Sequence, residues 1–237
     1  MAHHAALSRR PTLWSTSCCR ATGRSPLPES RLVQVPFRRV AGWVQRWDSR
    51  HPDSTWTFGS DAVAVESPDG AHATFGVPLG RLERCDLSGL LAHLDQRWRL
   101  GVVLVRRGGF AVAYVDGPDV VDVKIGQRHV QGRSKAGGWS QQRFARRRAN
   151  QAREAFDAAS EHAGRLLAGR AGTLDLLVLG GDRAGVQAVL DHPRLERLSG
   201  TPQQWVPVAG DPRRPALDTA VDVARSVQIT VVDPQRE

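Results

Sequence analysis

GVVLVRR (Gly101–Arg107), FAVAYVD (Phe110–Asp116) and VVDVKIGQRHVQ (Val120–Gln131) decide the fold. Each is short, rich in β-branched residues, and separated from the next by a tight-turn pair, Gly108-Gly109 or Gly117-Pro118. Runs of this kind with two-residue connections predict an antiparallel meander of three strands.

Downstream the period changes from two to 3.6. Phe144, Ala152, Ala155, Phe156, Ala159, Ala163 and Leu166 share one stripe of a helix expected over about 140–168, and Gly169 and Gly172 end it. Strand 174–179, helix 184–198, strand 205–208, helix 216–225 and strand 227–232 follow. The order β-β-β-α-β-α-β-α-β predicts a mixed sheet flanked by helices, with the last strand in that sheet. It is the ribonuclease-H-like order, and fold alone assigns no function.

Upstream, Phe37, Val40, Ala41, Val44 and Trp47 recur at helical spacing, with Arg38, Arg39, Gln45 and Arg46 off that face. Two strands are expected at 55–66 and 71–77, around the turn Pro68-Asp69-Gly70. Asp86 is placed to cap a helix over 87–98 carrying Leu87, Leu90, Leu91 and Leu94. Residues 35–98 therefore read as a small α/β subdomain, and 99–233 as the ribonuclease-H-like domain. Trp43, Trp47, Trp56 and Trp98 stand in periodic contexts and are expected in the core. Residues 1–34 lack period and apolar content, so they read as a disordered extension, with an over-extended start codon as one account of it. Arg9-Arg10 is not followed by the apolar stretch an export signal needs.

At 237 residues, 41% hydrophobic and 24% charged, the chain has the composition of a soluble globular protein. It contains no apolar run long enough to span a membrane. Three cysteines (Cys18, Cys19, Cys85) build neither a disulfide framework nor a four-ligand zinc site, and a reducing, cytoplasmic setting is expected. The 33 Lys and Arg exceed the 24 Asp and Glu by nine. Between Asp122 and Glu154 there is no carboxylate, yet that window holds Lys124, Arg128, Arg133, Lys135, Arg143, Arg146, Arg147, Arg148 and Arg153. The whole net charge sits there. A field so concentrated attracts a polyanion and points to nucleic acid.

The connection from the third strand to the long helix, Gly132-Arg133-Ser134-Lys135-Ala136-Gly137-Gly138-Trp139-Ser140-Gln141-Gln142, lies inside that window. Gly137 and Gly138 permit close backbone approach, and Ser140 is a candidate N-cap. The arginines beyond it suit phosphates, and Trp139 suits stacking on a base. Metal chemistry has little support. Residues 101–107 contain no carboxylate, Asp116, Asp122 and Asp175 suit turn or capping roles, and the histidines are dispersed without ligand spacing. Gly180-Gly181-Asp182 reads as an ordinary strand-to-helix turn.

The stretch from Ala136 to Arg148 resembles the Gly-Gly-Gln segment of eukaryotic and archaeal class 1 peptide-chain release factors. Ser140, Arg143, Phe144 and Arg146 keep that register. It is more similar still to the Vms-like release factors and their actinobacterial branch, whose loop carries a Gly-x-Ser-Gln type of sequence. Trp139 stands where the class 1 factors place glutamine, and the Vms-like pattern moves the amide past the serine. The register favours Gln141, with Gln142 as the alternative.

The resemblance implies a metal-independent peptidyl-tRNA hydrolase that needs no cofactor and frees nascent chains from stalled large ribosomal subunits. Its catalytic group would be Gln141 or Gln142, presented by Gly137 and Gly138. RNA would be held by Arg133, Lys135, Trp139, Arg143, Arg146, Arg147, Arg148 and Arg153. The implied partners are large-subunit rRNA and the peptidyl-tRNA acceptor end, without a membrane, and the expected state is a monomer. Two rivals use the same features: an endonuclease cutting the tRNA 3′ CCA end, and a non-catalytic rRNA-binding protein.

Overall fold

The computed structural model describes residues 30–127 and 139–234, the side chains of 139–149 and 151–152 excepted. Its N-terminal half runs β1 (Ser30–Pro36), α1 (Phe37–Arg50), β2 (Thr55–Phe58), β3 (Ala62–Glu66), β4 (His72–Gly76) and α2 (Leu87–Leu94). Then come β5 (Arg99–Arg106), β6 (Gly109–Asp116), β7 (Asp119–Gln127), α3 (Trp139–Leu167), β8 (Leu176–Gly181) and α4 (Arg183–Leu190). The chain closes with β9 (Gln203–Val206), α5 (Arg214–Ala224) and β10 (Ser226–Val232). The architecture is mixed α/β, with two five-stranded sheets flanked by helices.

One sheet has the order β7-β6-β5-β8-β9. The meander β5-β6-β7 is antiparallel, whereas β8 and β9 add parallel to β5. This is the ribonuclease-H-like arrangement. β5 lies at its centre because its run is apolar at consecutive positions and both faces must be covered. Leu100, Val102 and Leu104 meet Leu217, Ala220 and Ala224 of α5 on one face. Val103 and Val105 join Ala159, Ala163 and Leu167 of α3 and Val186 and Val189 of α4 on the other.

The second sheet, β1-β10-β4-β3-β2, is antiparallel throughout. Alternation buries Val63 and Val65, Ala73 and Phe75, and Val227, Ile229 and Val231 on one side, where α1 seats Phe37, Val40, Val44 and Trp47. Trp43 stacks on Trp47 at 5.3 Å, and Trp56 and Trp98 pack partly buried against the core clusters.

Several elements differ from expectation. Residues 30–34, read as part of a tail, belong to β1 and pair with β10 across the whole strand. Residues 1–29 lie outside the described residues. The strand at 227–232 exists, but it enters the N-terminal sheet between β1 and β4 rather than the ribonuclease-H-like one. Local period reports a strand and not its neighbours, so nothing in the run itself selects the sheet. The run 55–66 is two strands, because Gly59 N donates to Ala62 O at 2.9 Å and closes a hairpin. The helix after Asp86 stops at Leu94, and Asp86 caps it by accepting from Gly89 N. The helix expected over 184–198 breaks before Pro193, which starts a separate 3₁₀ segment, Pro193–Leu198.

The two sheets meet at the β6–β7 turn. Arg225 Nη1 donates to Gly117 O at 2.8 Å, Gly117 N to Trp98 O at 2.9 Å, and Phe37 N to Arg225 O at 3.1 Å.

Candidate nucleic-acid interface

The candidate segment is carried between β7 and α3. β7 is an edge strand paired with β6, and it ends at Gln127. Arg128, Arg133, Lys135, Gly137 and Gly138 lie outside the described residues. α3 starts at Trp139, so Ser140 lies within its first turn instead of capping it. Trp139, Gln141, Gln142, Arg143, Arg146, Arg147 and Arg148 occupy the opening turns of the helix backbone. The first turn of an α-helix leaves its N–H groups without intrahelical acceptors, and no acidic residue occupies that turn here. Farther along, Arg153 is exposed on α3, and Lys124 is exposed on β7.

What the structure fixes is the mounting of this helix. α3 is 29 residues long, about 43 Å. Its described part buries Ala155, Ala159, Ala163 and Leu167. Small residues at i, i+4 and i+8 let the helix approach the sheet closely. Phe156 sits against Gly185 of α4, where a Cβ would come within 2.8 Å of the ring. His162 stacks over Phe110 at 5.5 Å, and its Nδ1 accepts from Arg165 Nη2 at 2.9 Å. Burial, and then the charges of Arg165 and Lys124, hold the His162 imidazole below its usual range, so the neutral ring is favoured.

The foot of the helix is clamped by Arg170. Its Nη1 donates to Leu166 O at 2.6 Å and its Nη2 to Asp122 of β7 at 2.7 Å, while the guanidinium lies 4.4 Å from the Tyr114 ring centre. Sequence reading missed this residue: it follows the glycine taken as a helix stop, and its partner is 48 positions away.

The carboxylates weighed for metal work are each committed elsewhere. Asp116 accepts from Arg97 Nε at 2.7 Å, and that partner holds its carboxyl below the usual range. Asp122 is held by Arg170, and Asp175 accepts from Arg99 N at 2.7 Å. Asp182 caps α4 through Ala184 N and Gly185 N, as a strand-to-helix turn should. Among the described residues no cluster of three His, Cys, Asp or Glu is arranged to hold a metal ion. Two open grooves of about 490 and 570 Å³ flank Arg225, lined by residues of α1, α2, α5 and the β6–β7 turn, and contain none of the candidate residues.

The family model of the actinobacteria/chloroflexi VLRF1 release factor, acVLRF1, matches residues 98–230. The chain belongs to this release-factor family. The VLRF1 match spans β5 through α5 and most of β10, including the Gly-rich connection and the whole of α3, whereas β1, α1, β2, β3, β4 and α2 fall outside it. No curated protein sequence matches the chain. A crystal structure of the archaeal translation termination factor aRF1 is similar with a TM-score of 0.39 at 18% identity, over 68% of this chain and 50% of that one. The chain thus spans about half the length of that factor. A structure described as an archaeal protein gives a TM-score of 0.37 at 14% identity, over 85% of this chain and 67% of that one. Among the described residues no helix is long and apolar enough to cross a membrane.

Proposed function

We propose that this VLRF1-family chain is a peptidyl-tRNA hydrolase that releases nascent peptides from stalled large ribosomal subunits, acting as a cytoplasmic monomer without metal or cofactor. One observation carries the reading: the family match encloses the segment Gly137-Gly138-Trp139-Ser140-Gln141-Gln142, and that segment runs into the first turn of a helix clamped at its far end.

The chemistry follows from the residue types. The ester joining peptide to tRNA needs an attacking water and stabilisation of the oxyanion that develops on its carbonyl. A glutamine amide does not titrate near neutral pH, so it serves as a donor and acceptor rather than a general base. Gln141, or its neighbour Gln142, orients the water through its amide and offers a backbone N–H to the oxyanion. Gly137 and Gly138 give the segment a narrow profile for an RNA-walled site. Arg133, Lys135, Arg143, Arg146, Arg147, Arg148 and Arg153 hold it against rRNA and the acceptor end, with Trp139 stacking on a base. The tRNA 3′-terminal hydroxyl relays the proton. A site completed by RNA in this way has little activity on free peptidyl-tRNA.

The test is the product formed when purified protein meets large subunits carrying labelled peptidyl-tRNA. Free peptide together with tRNA that keeps its CCA end supports the reading. A shortened tRNA would make the protein a nuclease and overturn it.

A further inference from the structure

Helix α1 lies outside the matched release-factor region and buries one face only. Its sequence, Phe-Arg-Arg-Val-Ala-Gly-Trp-Val-Gln-Arg-Trp-Asp-Ser-Arg, places Arg39, Arg46 and Arg50 within a sector of about 40° on the helix wheel, along roughly 16 Å of axis. All three are exposed. None makes an ion pair or a side-chain hydrogen bond among the described residues. The helix carries a single carboxylate, Asp48, and it faces elsewhere, accepting from Trp56 Nε1 at 3.1 Å.

Three exposed helix arginines elsewhere among the described residues have partners. Arg165 meets Glu161 and Arg214 meets Asp218, both at i,i+4, and Arg183 lies over the Trp205 ring. On α1, by contrast, Arg46 and Arg50 are like charges four apart, which disfavours the isolated helix. Gly42 lies beside that sector, about 40° from Arg46 on the helix wheel. A Cβ there would come within 3.3 Å of Arg46 Nη1, so the guanidinium folds back over a bare stretch of backbone. The result is a shallow, purely cationic strip that a rigid anion can approach closely.

We propose that this strip is a second RNA-contact surface, in which Arg39, Arg46 and Arg50 bind successive phosphates of ribosomal RNA independently of the Gly-rich segment. The choice of ribosomal RNA rests on the release-factor reading above. A lipid surface fits poorly, because Phe37, Val40, Val44 and Trp47 are consumed by the core and leave no apolar face to insert. Phosphate contacts position a protein without reading sequence, which suits a factor that must be held while a distant segment enters the catalytic centre.

The experiment measures affinity of the full chain for purified large subunits and for protein-free 23S-type rRNA over a salt series. Wild type is compared with an Arg39→Gln, Arg46→Gln, Arg50→Gln triple variant and with the Arg→Lys triple. The glutamine triple is expected to lose at least roughly tenfold in affinity for both probes, with the slope of log K against log salt shallower by about two to three. The lysine triple should stay near wild type in affinity, and both triples should keep the thermal midpoint. Equal affinities and slopes for wild type and the glutamine triple would overturn the proposal, as would a loss on subunits with none on bare rRNA, since that marks a ribosomal-protein partner. Peptide release is scored separately at saturating factor: its absence in wild type sinks the hydrolase reading, while the bare-rRNA comparison still decides for or against the strip.

Discussion

Arg170 Nη2 stands 2.7 Å from Asp122 Oδ2, joining the foot of α3 to the same strand, β7, that leads into the Gly-rich segment. The two ends of the connection are therefore referenced to one rigid edge, and the opening turn of α3 inherits its position from a contact at the opposite end of the helix. Arg170→Met should remove this pair, the bond to Leu166 O and the contact with Tyr114. The expected loss is about 1–2 kcal/mol, since half-exposed ion pairs and cation–π contacts each contribute about 0.5–1 kcal/mol. Urea unfolding checks it, and a midpoint equal to wild type would show that the clamp is idle.

A sharper structural test lies where β8 turns into α4. Gly181 has φ of 103°, and a Cβ there would collide with the Val105 carbonyl oxygen. Gly181→Ala should destabilise by about 2 kcal/mol or more, from the left-handed backbone and the clash together. Gly172→Ala, where an added Cβ meets nothing within 4 Å, should be neutral or slightly stabilising. Thermal unfolding of the pair separates the two cases.

His162 sets a pH dependence. Its folded-state pKa lies below the unfolded value, mainly through burial and then through Arg165 and Lys124. The unfolded chain thus takes up the proton first as pH drops. The stabilisation is present above the usual histidine range of about 6.5, and is lost as pH falls through the lower folded value. Protonation also removes the acceptor that receives Arg165. Wild type should lose stability between pH 7 and pH 5, and His162→Gln should lose less over that interval. Matching pH profiles would refute the assignment.

A second, more acidic window belongs to Asp69, Asp86 and Asp116. The Ala71 and Gly89 backbone N–H groups hold the first two below the usual 3.8, and Arg97 holds the third. Their contributions are present above that value and disappear as pH falls through the lower folded ones. Asp86→Asn should therefore flatten the acid limb of the stability curve below about pH 4 without changing its course near neutrality, followed by circular dichroism.

Much of this was legible in the residues. The meander was readable because β5, β6 and β7 are neighbours in sequence as well as in space, and α3 because its alanine stripe runs for several turns. What could not be read was pairing at a distance. β1 and β10 lie at opposite ends of the chain, and Ser226–Val232 alternates equally well for either sheet. The hairpin at Gly59 hid inside one continuous β-prone run, and Pro193 was outweighed by the apolar period around it. For the candidate site, the Gly-rich register and the concentration of cations were visible in the sequence. The Arg170–Asp122 clamp was not, because neither residue carries a local signal of the other.

In the proposed mechanism a neutral amide at the start of α3 performs the release step. Its most direct measurement is single-turnover release of labelled peptide from purified large subunits carrying peptidyl-tRNA, with wild type, Gln141→Ala, Gln142→Ala and the double variant at equal occupancy. Gln141→Ala should slow release by about a hundredfold or more, in line with the loss of one positioned donor. Gln142→Ala should have a small effect, and bound fractions should stay unchanged. Release by the double variant at the wild-type rate would contradict it.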